Sequence, residues 1–387
     1  MRNKTKILFI IPRISLGGTT TALASLLNSK FTEEYDVDVF AIYKRDHIPV
    51  PFTSHEIGLN SLITAFYDDF SKFHTVDRLR YFFIKVLKRS PRWCVKLEQW
   101  IIAKTVRKIE RRKQYDYVVG FQEKLATQMA SRFSCPRKIA WIHCDYAKTY
   151  GPDASELGLY KHFSKIVCVS QFTRKGFVDI YPILSENTIA IHNLFDADSV
   201  INKSKETIDD SRFDTAGFTI ISLGRVSDVK RFYLIPEIAA QLLKKDLRFR
   251  WFILGSANEP EELIKLKEAI KQFDVEKEVL YLGGKTNPYP YLKASNLMVT
   301  LSRSEACPMI FNEAKILDVP VLSTDFGSAF EFIKQDEDGY ISTIEELPQK
   351  LHELIINPAL LDSIKQSNSF QNPNNDILDQ LNELFVL

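Results

Sequence analysis

Short apolar runs alternate with helical patterns along most of the chain. Each run is four to seven residues long, is rich in β-branched and aromatic residues, and precedes a loop or helix signal. Such runs are typical of strands buried on both faces of a parallel sheet. The predicted strands lie at 6–12, 37–43, 115–121, 138–143, 165–170, 188–193, 218–224, 249–255, 278–284, 297–302 and 319–325.

The strand–helix alternation falls into two blocks, separated by a polar stretch with little to bury. This organisation predicts an α/β fold of two doubly wound, Rossmann-like domains, with ligands beyond the carboxyl ends of the strands in a cleft between the sheets. The length of 387 residues also favours two domains. The predicted segments are a first domain at 1–196, a linker at 197–217, a second domain at 218–370 and a terminal helix at 371–387.

A helical insert at about 60–113 breaks the alternation. Its residues 77–113 hold 13 Lys and Arg against 3 Asp and Glu, 13 − 3 = +10, whereas the whole chain carries only +2. Aromatic and aliphatic residues interleave with these cations, as in a basic amphipathic helix pair broken near Pro91. Such a pair suits an anionic membrane surface. The alternative is an insert whose apolar side packs on the sheet and whose cations are solvated. No nucleic-acid-binding motif accompanies the charge.

The cysteine content and the length of the apolar runs indicate the cellular compartment. Five cysteines without any C-x-x-C spacing argue against a disulfide framework or a structural zinc site, and favour a reducing compartment. The N-terminal apolar run is too short for a signal peptide, and no stretch of 18 apolar residues is present. We therefore expect a cytoplasmic protein.

A glycine pair, Gly17 and Gly18, follows the first predicted strand and precedes three threonines and a helix. A glycine loop at a helix start exposes backbone N–H groups that suit a phosphate or a sugar hydroxyl. The alternative is a simple turn, since the stretch matches neither a dinucleotide fingerprint nor a phosphate-binding Walker loop.

Two cations follow the strand at 218–224. Arg225 stands at its carboxyl end, and Lys230 lies near the start of the next helix. A forked donor and a point charge at a strand end form a diphosphate clamp. The alternative, cations that only face water, is less favourable because a cation at a helix start opposes the helix dipole.

Two glutamates stand eight residues apart in "EACPMIFNE", Glu305 in a loop after a predicted strand and Glu313 inside the following helix. They could form a surface pair two turns apart. Carboxylates near a phosphate-binding helix start are electrostatically unfavourable, whereas carboxylates accept hydrogen bonds from vicinal hydroxyls. We therefore interpret the pair as a site for a sugar or ribose.

These elements together resemble a known family. "EACPMIFNE" matches the E-x7-E motif of the retaining glycosyltransferases of family 4, which have the GT-B fold, and "GRVSDVKR" is similar to their G-R-x4-K element. "WIHCD" and "IHNLFD" also resemble family elements. The resemblance covers about residues 5–345. In GT-B proteins the last helix often crosses back to the first domain.

The resemblance implies a role for each matching residue. Glu305 would contact the donor sugar and Glu313 the nucleotide ribose, while Arg225 and Lys230 would hold the diphosphate and stabilise its developing charge. His143 would face the donor sugar.

The backbone would add further contacts to the donor. The first loop would approach the donor phosphate and the acceptor through Gly17 and Gly18, and backbone amides would assist at the helix start around Cys307, Pro308, Met309 and Ile310. No metal is expected, because the two cations and the helix dipole would do its work and D-x-D patterns occur only as scattered matches at 36–38, 196–198 and 336–338. No cofactor is expected either.

The implied activity is transfer of a hexose from a nucleotide-diphosphate sugar, on family frequency a UDP-sugar, with retention of anomeric configuration. The basic insert suggests a lipid-linked saccharide acceptor, as in bacterial surface-polysaccharide synthesis, and attachment to the inner face of the cell membrane through 77–113. Alternatives are a nucleotide-sugar epimerase, a phosphorylase, or a non-catalytic sugar-binding or scaffold protein on the same fold.

Overall fold

The structure, a computed structural model, describes residues 4–14, 17–42, 91–215, 217–257, 259–367 and 373–386, with backbone only for 91–98 and 366–367. The chain divides into two compact units. The N-terminal unit comprises Met1–Leu194 and Asp376–Leu387, and the C-terminal unit comprises Phe195–Asn375. The part of the predicted basic insert that precedes residue 91 lies outside the described residues.

The described part of the N-terminal unit contains a parallel sheet of six strands flanked by helices. In chain order its elements are β1 (Lys6–Ile11), α1 (Gly18–Leu27), α2 (Phe31–Glu34), β2 (Asp36–Ala41), α3 (Pro91–Glu110), β3 (Tyr117–Gly120), α4 (Leu125–Ser131), β4 (Lys138–Ile142), α5 (Tyr146–Thr149), α6 (Ala154–Tyr160), β5 (Lys165–Cys168), α7 (Gln171–Ile180), a 3-10 helix (Pro182–Asn187) and β6 (Thr188–Ala190).

The described part of the C-terminal unit repeats this plan with its own six-stranded parallel sheet. Its elements are α8 (Ala197–Lys203), β7 (Phe218–Leu223), a 3-10 helix (Phe232–Leu234), α9 (Ile235–Leu243), β8 (Phe249–Leu254), α10 (Pro260–Gln272), β9 (Val279–Gly283), α11 (Tyr289–Lys293), β10 (Leu297–Thr300), α12 (Met309–Ile316), β11 (Val321–Thr324), α13 (Ala329–Phe332), β12 (Tyr340–Ser342), α14 (Leu347–Ile356) and α15 (Pro358–Ser367).

Both sheets reverse their strand order at one point. The order is β2-β1-β3-β4-β5-β6 in the first sheet and β12-β11-β10-β7-β8-β9 in the second. In the first sheet, β2 lies on one side of β1 and the later strands lie on the other, so the order reverses between β1 and β3. In the second sheet, β8 and β9 lie on one side of β7 and the later strands lie on the other, so the order reverses between β7 and β10. A crevice opens at such a point beyond the carboxyl strand ends, and ligands bind there.

The apolar runs are buried as their sequences predict. In β1, five of six residues are buried, because both faces of the sheet are covered. Core side chains cover each face of the second sheet, one group around Trp251 and Leu266 and the other around Phe252 and Phe311. The prediction of doubly wound α/β architecture is confirmed in both units.

The last helix, α16 (Asn374–Leu384), leads into a residue that packs within the N-terminal unit. The ring of Phe385 lies 5.1 Å from that of Tyr117 and 5.4 Å from that of Phe31, between ring centroids. The hydroxyl of Tyr117 donates to the carbonyl of Val386 at 2.6 Å. These contacts attach the end of the chain to the first sheet.

The stretch 197–217, for which the sequence predicts a linker, packs against the C-terminal unit. Its Val200 is buried, the ring of Phe213 lies 4.4 Å from that of Phe252, and the carboxylate of Asp210 lies 3.0 Å from the ammonium of Lys285. A few apolar and charged residues therefore fix a segment that is polar on average.

Candidate functional site

The reversal point of the C-terminal sheet brings together the loops after β7 and β10. The loop after β7 carries Arg225 and Lys230, and the loop after β10 carries Glu305. These two strands are hydrogen-bonded neighbours in the sheet. Because parallel strands end at the same edge, the topology places the predicted cation clamp beside the predicted sugar-binding carboxylate.

Two glycines allow close packing at this edge. Gly224 has φ 142°, and a Cβ there would lie 2.9 Å from Cε of Lys230. A Cβ on Gly255 would lie 1.6 Å from the carbonyl oxygen of Gly224. Glycine is therefore required at 255 so that the ends of β7 and β8 can approach each other. Glycine is required at 224 so that the Lys230 side chain can lie across the backbone.

Lys230 and Glu305 form an ion pair across this edge. The Nζ of Lys230 donates to Oε1 of Glu305, and the hydroxyl of Ser302 donates to the same oxygen at 2.7 Å. The side chains of Lys230 and Glu305 are 18% and 20% exposed. The pair thus offers an ammonium donor and a carboxylate acceptor that a ligand can still reach.

The two arginines of this loop have different surroundings. Arg225 is exposed at the carboxyl end of β7. Arg231 has φ 52° and donates from Nε to the carbonyl of Leu301 at 2.5 Å and from a terminal nitrogen to that of Ser302 at 3.2 Å. Arg231 therefore fastens the β7 loop to the end of β10, and its burial lowers its guanidinium pKa.

Helix α12 starts beside Glu305. Pro308 occupies its N-cap position, and no side chain of the described residues caps it. The hydroxyl of Ser328 donates to the carbonyl of Glu305 at 2.7 Å, which holds the loop that leads into the helix. Pro308 has no N–H, so of the predicted backbone donors Cys307, Met309 and Ile310 can act while Pro308 cannot.

Glu313 lies on α12 with a partner of its own. It is 9% exposed, and Oε1 accepts a hydrogen bond from the hydroxyl of Tyr289 at 3.2 Å. Burial raises the pKa of Glu313 to about 7, and the hydrogen bond from Tyr289 partly opposes this shift. The two glutamates therefore differ in environment: Glu305 is paired with a cation, and Glu313 faces a phenol.

His143, which follows β4 in the N-terminal unit, packs among aromatic rings. Its ring lies 4.6 Å from that of Phe121 and is stacked 6.4 Å from that of Trp141, between centroids. Burial lowers the pKa of His143 to about 3, so the imidazole is neutral at physiological pH. Its Nε2 is buried without a hydrogen-bond partner among the residues that the structure describes.

Glu123 holds the loop that carries His143. This buried carboxylate accepts from the backbone N–H of His143 and, at 2.9 Å, from that of Cys144. Burial raises the pKa of Glu123. The backbone of His143 is therefore anchored by a carboxylate 20 residues earlier in the chain.

The glycine pair stands at the start of α1. Gly17 is its N-cap and has an extended backbone. A Cβ added to Gly17 or Gly18 would have no heavy atom of the described residues within 4 Å. Backbone conformation does not require glycine here. Among the described residues, its effect is to leave open space beside the first N–H groups of the helix.

The three D-x-D patterns have partners in the protein. Lys113 lies 3.0 Å from Asp36 and 2.8 Å from Asp38, Asp196 caps α8, and Asp338 accepts from Lys315 at 2.6 Å. Across the described ranges, no cluster of three or more His, Cys, Asp or Glu side chains is placed to hold a metal ion.

Four residues that support the site were missed in the sequence: Glu123, Arg231, Tyr289 and Ser302. Three of them act on a loop or side chain at least 20 residues away in the chain, such as Tyr289 on Glu313. Ser302 lies three residues before Glu305 and had a signal, since it ends the predicted strand at 297–302.

Comparison with protein families finds a match in the C-terminal unit. Residues 203–372 match the family described as Glycosyl transferases group 1. The chain is 23% identical over 365 residues to an uncharacterised glycosyltransferase of Haemophilus influenzae, covering 92% of each protein.

Two further relatives match over shorter segments. An uncharacterised glycosyltransferase of Methanocaldococcus jannaschii is 27% identical over 168 residues, 43% of this chain and 41% of that protein. The N-acetylgalactosamine-N,N'-diacetylbacillosaminyl-diphospho-undecaprenol 4-alpha-N-acetylgalactosaminyltransferase of Campylobacter jejuni is 28% identical over 189 residues, 48% of each chain. This chain therefore spans less than half the length of these two proteins.

Among solved structures, Anabaena HepE in complex with UDP and glucose is similar with a TM-score of 0.71, at 18% identity and 98% coverage of each chain. At this identity the likeness shows the fold, and it confirms the predicted GT-B class. Together the comparisons show the GT-B fold, a match of residues 203–372 to the family described as Glycosyl transferases group 1, and similarity to proteins described as glycosyltransferases.

Proposed function

We propose that this protein transfers a hexose from a nucleotide-diphosphate sugar, with UDP as the expected nucleotide, to a saccharide hydroxyl with retention of anomeric configuration. The observation that carries the proposal is the Lys230–Glu305 pair at the reversal point between β7 and β10. It combines a cation suited to a diphosphate with a carboxylate suited to sugar hydroxyls. The similarity to a structure described with UDP and glucose supports this donor class.

Each donor group has a proposed partner. Lys230 and Arg225 hold the diphosphate, and the uncapped start of α12 adds N–H donors and a positive dipole end. Glu305 accepts from the sugar hydroxyls and Glu313 from the ribose. When the donor binds, Lys230 replaces part of its contact with the Glu305 carboxylate by contacts with phosphate oxygens, which are also negatively charged.

The proposed reaction needs no nucleophile from the protein. The bond between the anomeric carbon and the diphosphate oxygen breaks, and both electrons leave with the diphosphate. The acceptor oxygen bonds to the same face of that carbon, and its proton passes to the departing diphosphate. Lys230 and Arg225 stabilise the charge that develops on the leaving oxygen, which is the role a metal has in other enzymes. The products are a glycoside and a nucleoside diphosphate.

His143 has a binding role in this proposal. A neutral imidazole whose Nε2 has no partner among the described residues can form a hydrogen bond with a sugar hydroxyl. Its pKa of about 3 makes it a weak base, so we assign it no proton transfer. The extended backbone at Gly17 and the open space beside Gly18 would let phosphate or acceptor approach the start of α1.

We further propose a lipid-linked acceptor reached at the cytoplasmic face of a membrane. Helix α3 buries Ile102, Val106 and Ile109 in the N-terminal unit. Among its residues with described side chains, the exposed ones are Trp100, Lys104, Arg107 and Lys108, and the exposed Arg111 follows the end of the helix. A tryptophan with three cations on one exposed helix face, and a fourth just beyond it, suits anionic headgroups. The name of the Campylobacter relative includes a diphospho-undecaprenol substrate. None of the described helices combines the length and apolar character needed to span a bilayer.

A donor panel tests the proposed activity. The protein is incubated with UDP-, GDP- and ADP-sugars in EDTA, and release of nucleoside diphosphate is measured for wild type, Glu305→Ala and the exposed-site control Glu268→Ala. We expect release from one donor, lost only in Glu305→Ala. No turnover and no binding of any donor would favour a non-catalytic scaffold, and conversion of the sugar without release would indicate an epimerase.

A further inference from the structure

Residue 124, at the reversal point of the N-terminal sheet, has a strained backbone. Lys124 has φ 60° and ψ −110°, a conformation that side-chain-bearing residues rarely adopt. It ends the four-residue turn between β3 and α4, beside the edge where the glycine loop follows β1. Strain of this kind persists where the surrounding structure enforces it, and it concentrates at ligand-binding positions.

The surroundings of the turn enforce this conformation. A Cβ on Gly120 would lie 2.8 Å from Cα of Thr127, so strand and helix are packed as closely as glycine allows. The hydroxyl of Thr127 donates to the carbonyl of Gln122 at 2.7 Å. Glu123 is fixed by the backbone N–H groups after β4, so the next residue has little freedom.

The strained turn directs the Lys124 side chain to a prepared position. Its ammonium lies 3.2 Å from Oε1 of Glu156, whose side chain is 8% exposed, and 4.5 Å from the ring centroid of Tyr150. The hydroxyl of Tyr146 contacts the other carboxylate oxygen of Glu156 at 3.4 Å. Lys124 and Tyr150 remain 36% and 41% exposed, so a ligand can reach both.

We infer that Lys124 and Tyr150 form a saccharide subsite of the N-terminal unit, which binds the acceptor of the proposed transfer. An exposed aromatic ring beside a fixed N–H donor is a combination that suits a sugar, whose C–H face packs on the ring while its hydroxyls accept hydrogen bonds. Because Glu156 already balances the charge of Lys124, the subsite suits neutral hydroxyls better than a phosphate. This inference rests on the proposed function for its biological meaning.

Binding of octyl glycosides of glucose, galactose and N-acetylglucosamine, measured by saturation-transfer NMR, tests the subsite. The variants are Lys124→Met, Lys124→Gly, Tyr150→Ala and the exposed-lysine control Lys161→Met. We expect one glycoside to bind wild type and Lys161→Met, and at least tenfold weaker binding to the other three. Both Lys124 variants lose the ion pair with Glu156, and only Lys124→Gly relieves the strained backbone, so its melting temperature should exceed that of Lys124→Met while both bind weakly, which separates binding from folding.

A transfer assay with the same glycosides separates this inference from the proposed function. With a productive donor, Lys124→Met should raise the acceptor KM at least tenfold and leave the donor KM and acceptor-free donor hydrolysis unchanged. Glycoside binding that Lys124→Met retains, or wild type that binds none of the three, overturns the inference. Lys124-dependent binding by a wild-type protein that turns over no donor would support the saccharide subsite and contradict the transferase.

Discussion

The ammonium of Lys230 donates a hydrogen bond to the carboxylate of Glu305, and this bond joins the loop after β7 to the loop after β10. Because these strands are neighbours at the reversal point, the bond lies where a doubly wound domain binds its ligand. Each partner keeps the other in place.

Loss of Glu305 should therefore affect the proposed transfer more than loss of a single sugar contact. In Glu305→Gln, the amide still accepts from Ser302 but no longer balances Lys230. We expect donor turnover to fall about 10²–10³-fold, the range for losing one charge-stabilising group, and the free energy of unfolding to fall by about 1–3 kcal/mol. Steady-state kinetics and urea denaturation measure the two effects. Turnover within threefold of wild type would contradict the role of Glu305.

The pKa of Glu313 predicts that donor binding depends on pH. Burial raises this pKa from 4.5 to about 7, and the ribose hydroxyls are best accepted by the ionised carboxylate. Donor affinity should therefore rise as pH increases through about 7. Calorimetric titration with a UDP-sugar between pH 5.5 and 8.5 measures it, and Glu313→Gln should remove the dependence. The same slope in Glu313→Gln would assign it to another group.

The same shift predicts an opposite trend in stability. With a raised folded-state pKa, the native protein binds more protons than the unfolded chain between about pH 4.5 and 7. The contribution of Glu313 to stability is therefore full below about pH 4.5 and is lost as pH rises to about 7. Comparing urea denaturation of wild type and Glu313→Gln across this range isolates it. A difference between the two proteins that does not change with pH would exclude the raised pKa.

His143 should remain neutral across the working range of the protein. Burial lowers its pKa from 6.5 to about 3, so the unfolded chain binds more protons between these values and stability should fall as pH decreases from about 6.5 to 3. In an NMR titration, a resonance assigned by loss in His143→Gln should not shift between pH 5.5 and 8. A midpoint near 6.5 would show that the imidazole is solvated.

The alternation of apolar runs was sufficient to predict the fold. Parallel strands covered on both faces need continuous apolar residues, and eleven of the twelve strands in the described ranges appear where such a run occurs. The exception is β12, a three-residue strand at the edge of its sheet whose apolar run is too short to stand out.

The positions of the site residues along the strands could be predicted from the sequence, but the contacts between their side chains could not. Arg225, Lys230 and Glu305 could be placed at strand ends because motif spacing fixes them there. The direct bond between Lys230 and Glu305 depends on β7 and β10 being adjacent, which sequence order does not reveal. The bond from Tyr289 to Glu313 likewise needs the packing of α11 near α12, so the raised pKa of Glu313 could not be anticipated.

The glycines at the strand ends give a graded test of the packing. Gly255→Ala places a Cβ 1.6 Å from a backbone oxygen, and we expect a loss of more than about 3 kcal/mol of unfolding free energy. Gly224→Ala meets the flexible end of Lys230 and a backbone φ of 142° that strains any side chain, so it should lose less stability than Gly255→Ala, but with a raised donor KM. Gly158→Ala, in helix α6 with open space around it, should be neutral or stabilising by up to about 1 kcal/mol. Equal stability of the first two variants would contradict this packing.

Whether Lys230 recognises a diphosphate can be measured directly. Calorimetry in EDTA would compare binding of UDP and uridine to wild type, Lys230→Met and the exposed-lysine control Lys267→Met. We predict that Lys230→Met binds UDP about 10–100-fold more weakly, a loss of about 1.4–3 kcal/mol, while uridine binding and the control are unchanged. UDP binding of equal strength to wild type and Lys230→Met would contradict a diphosphate site between β7 and β10.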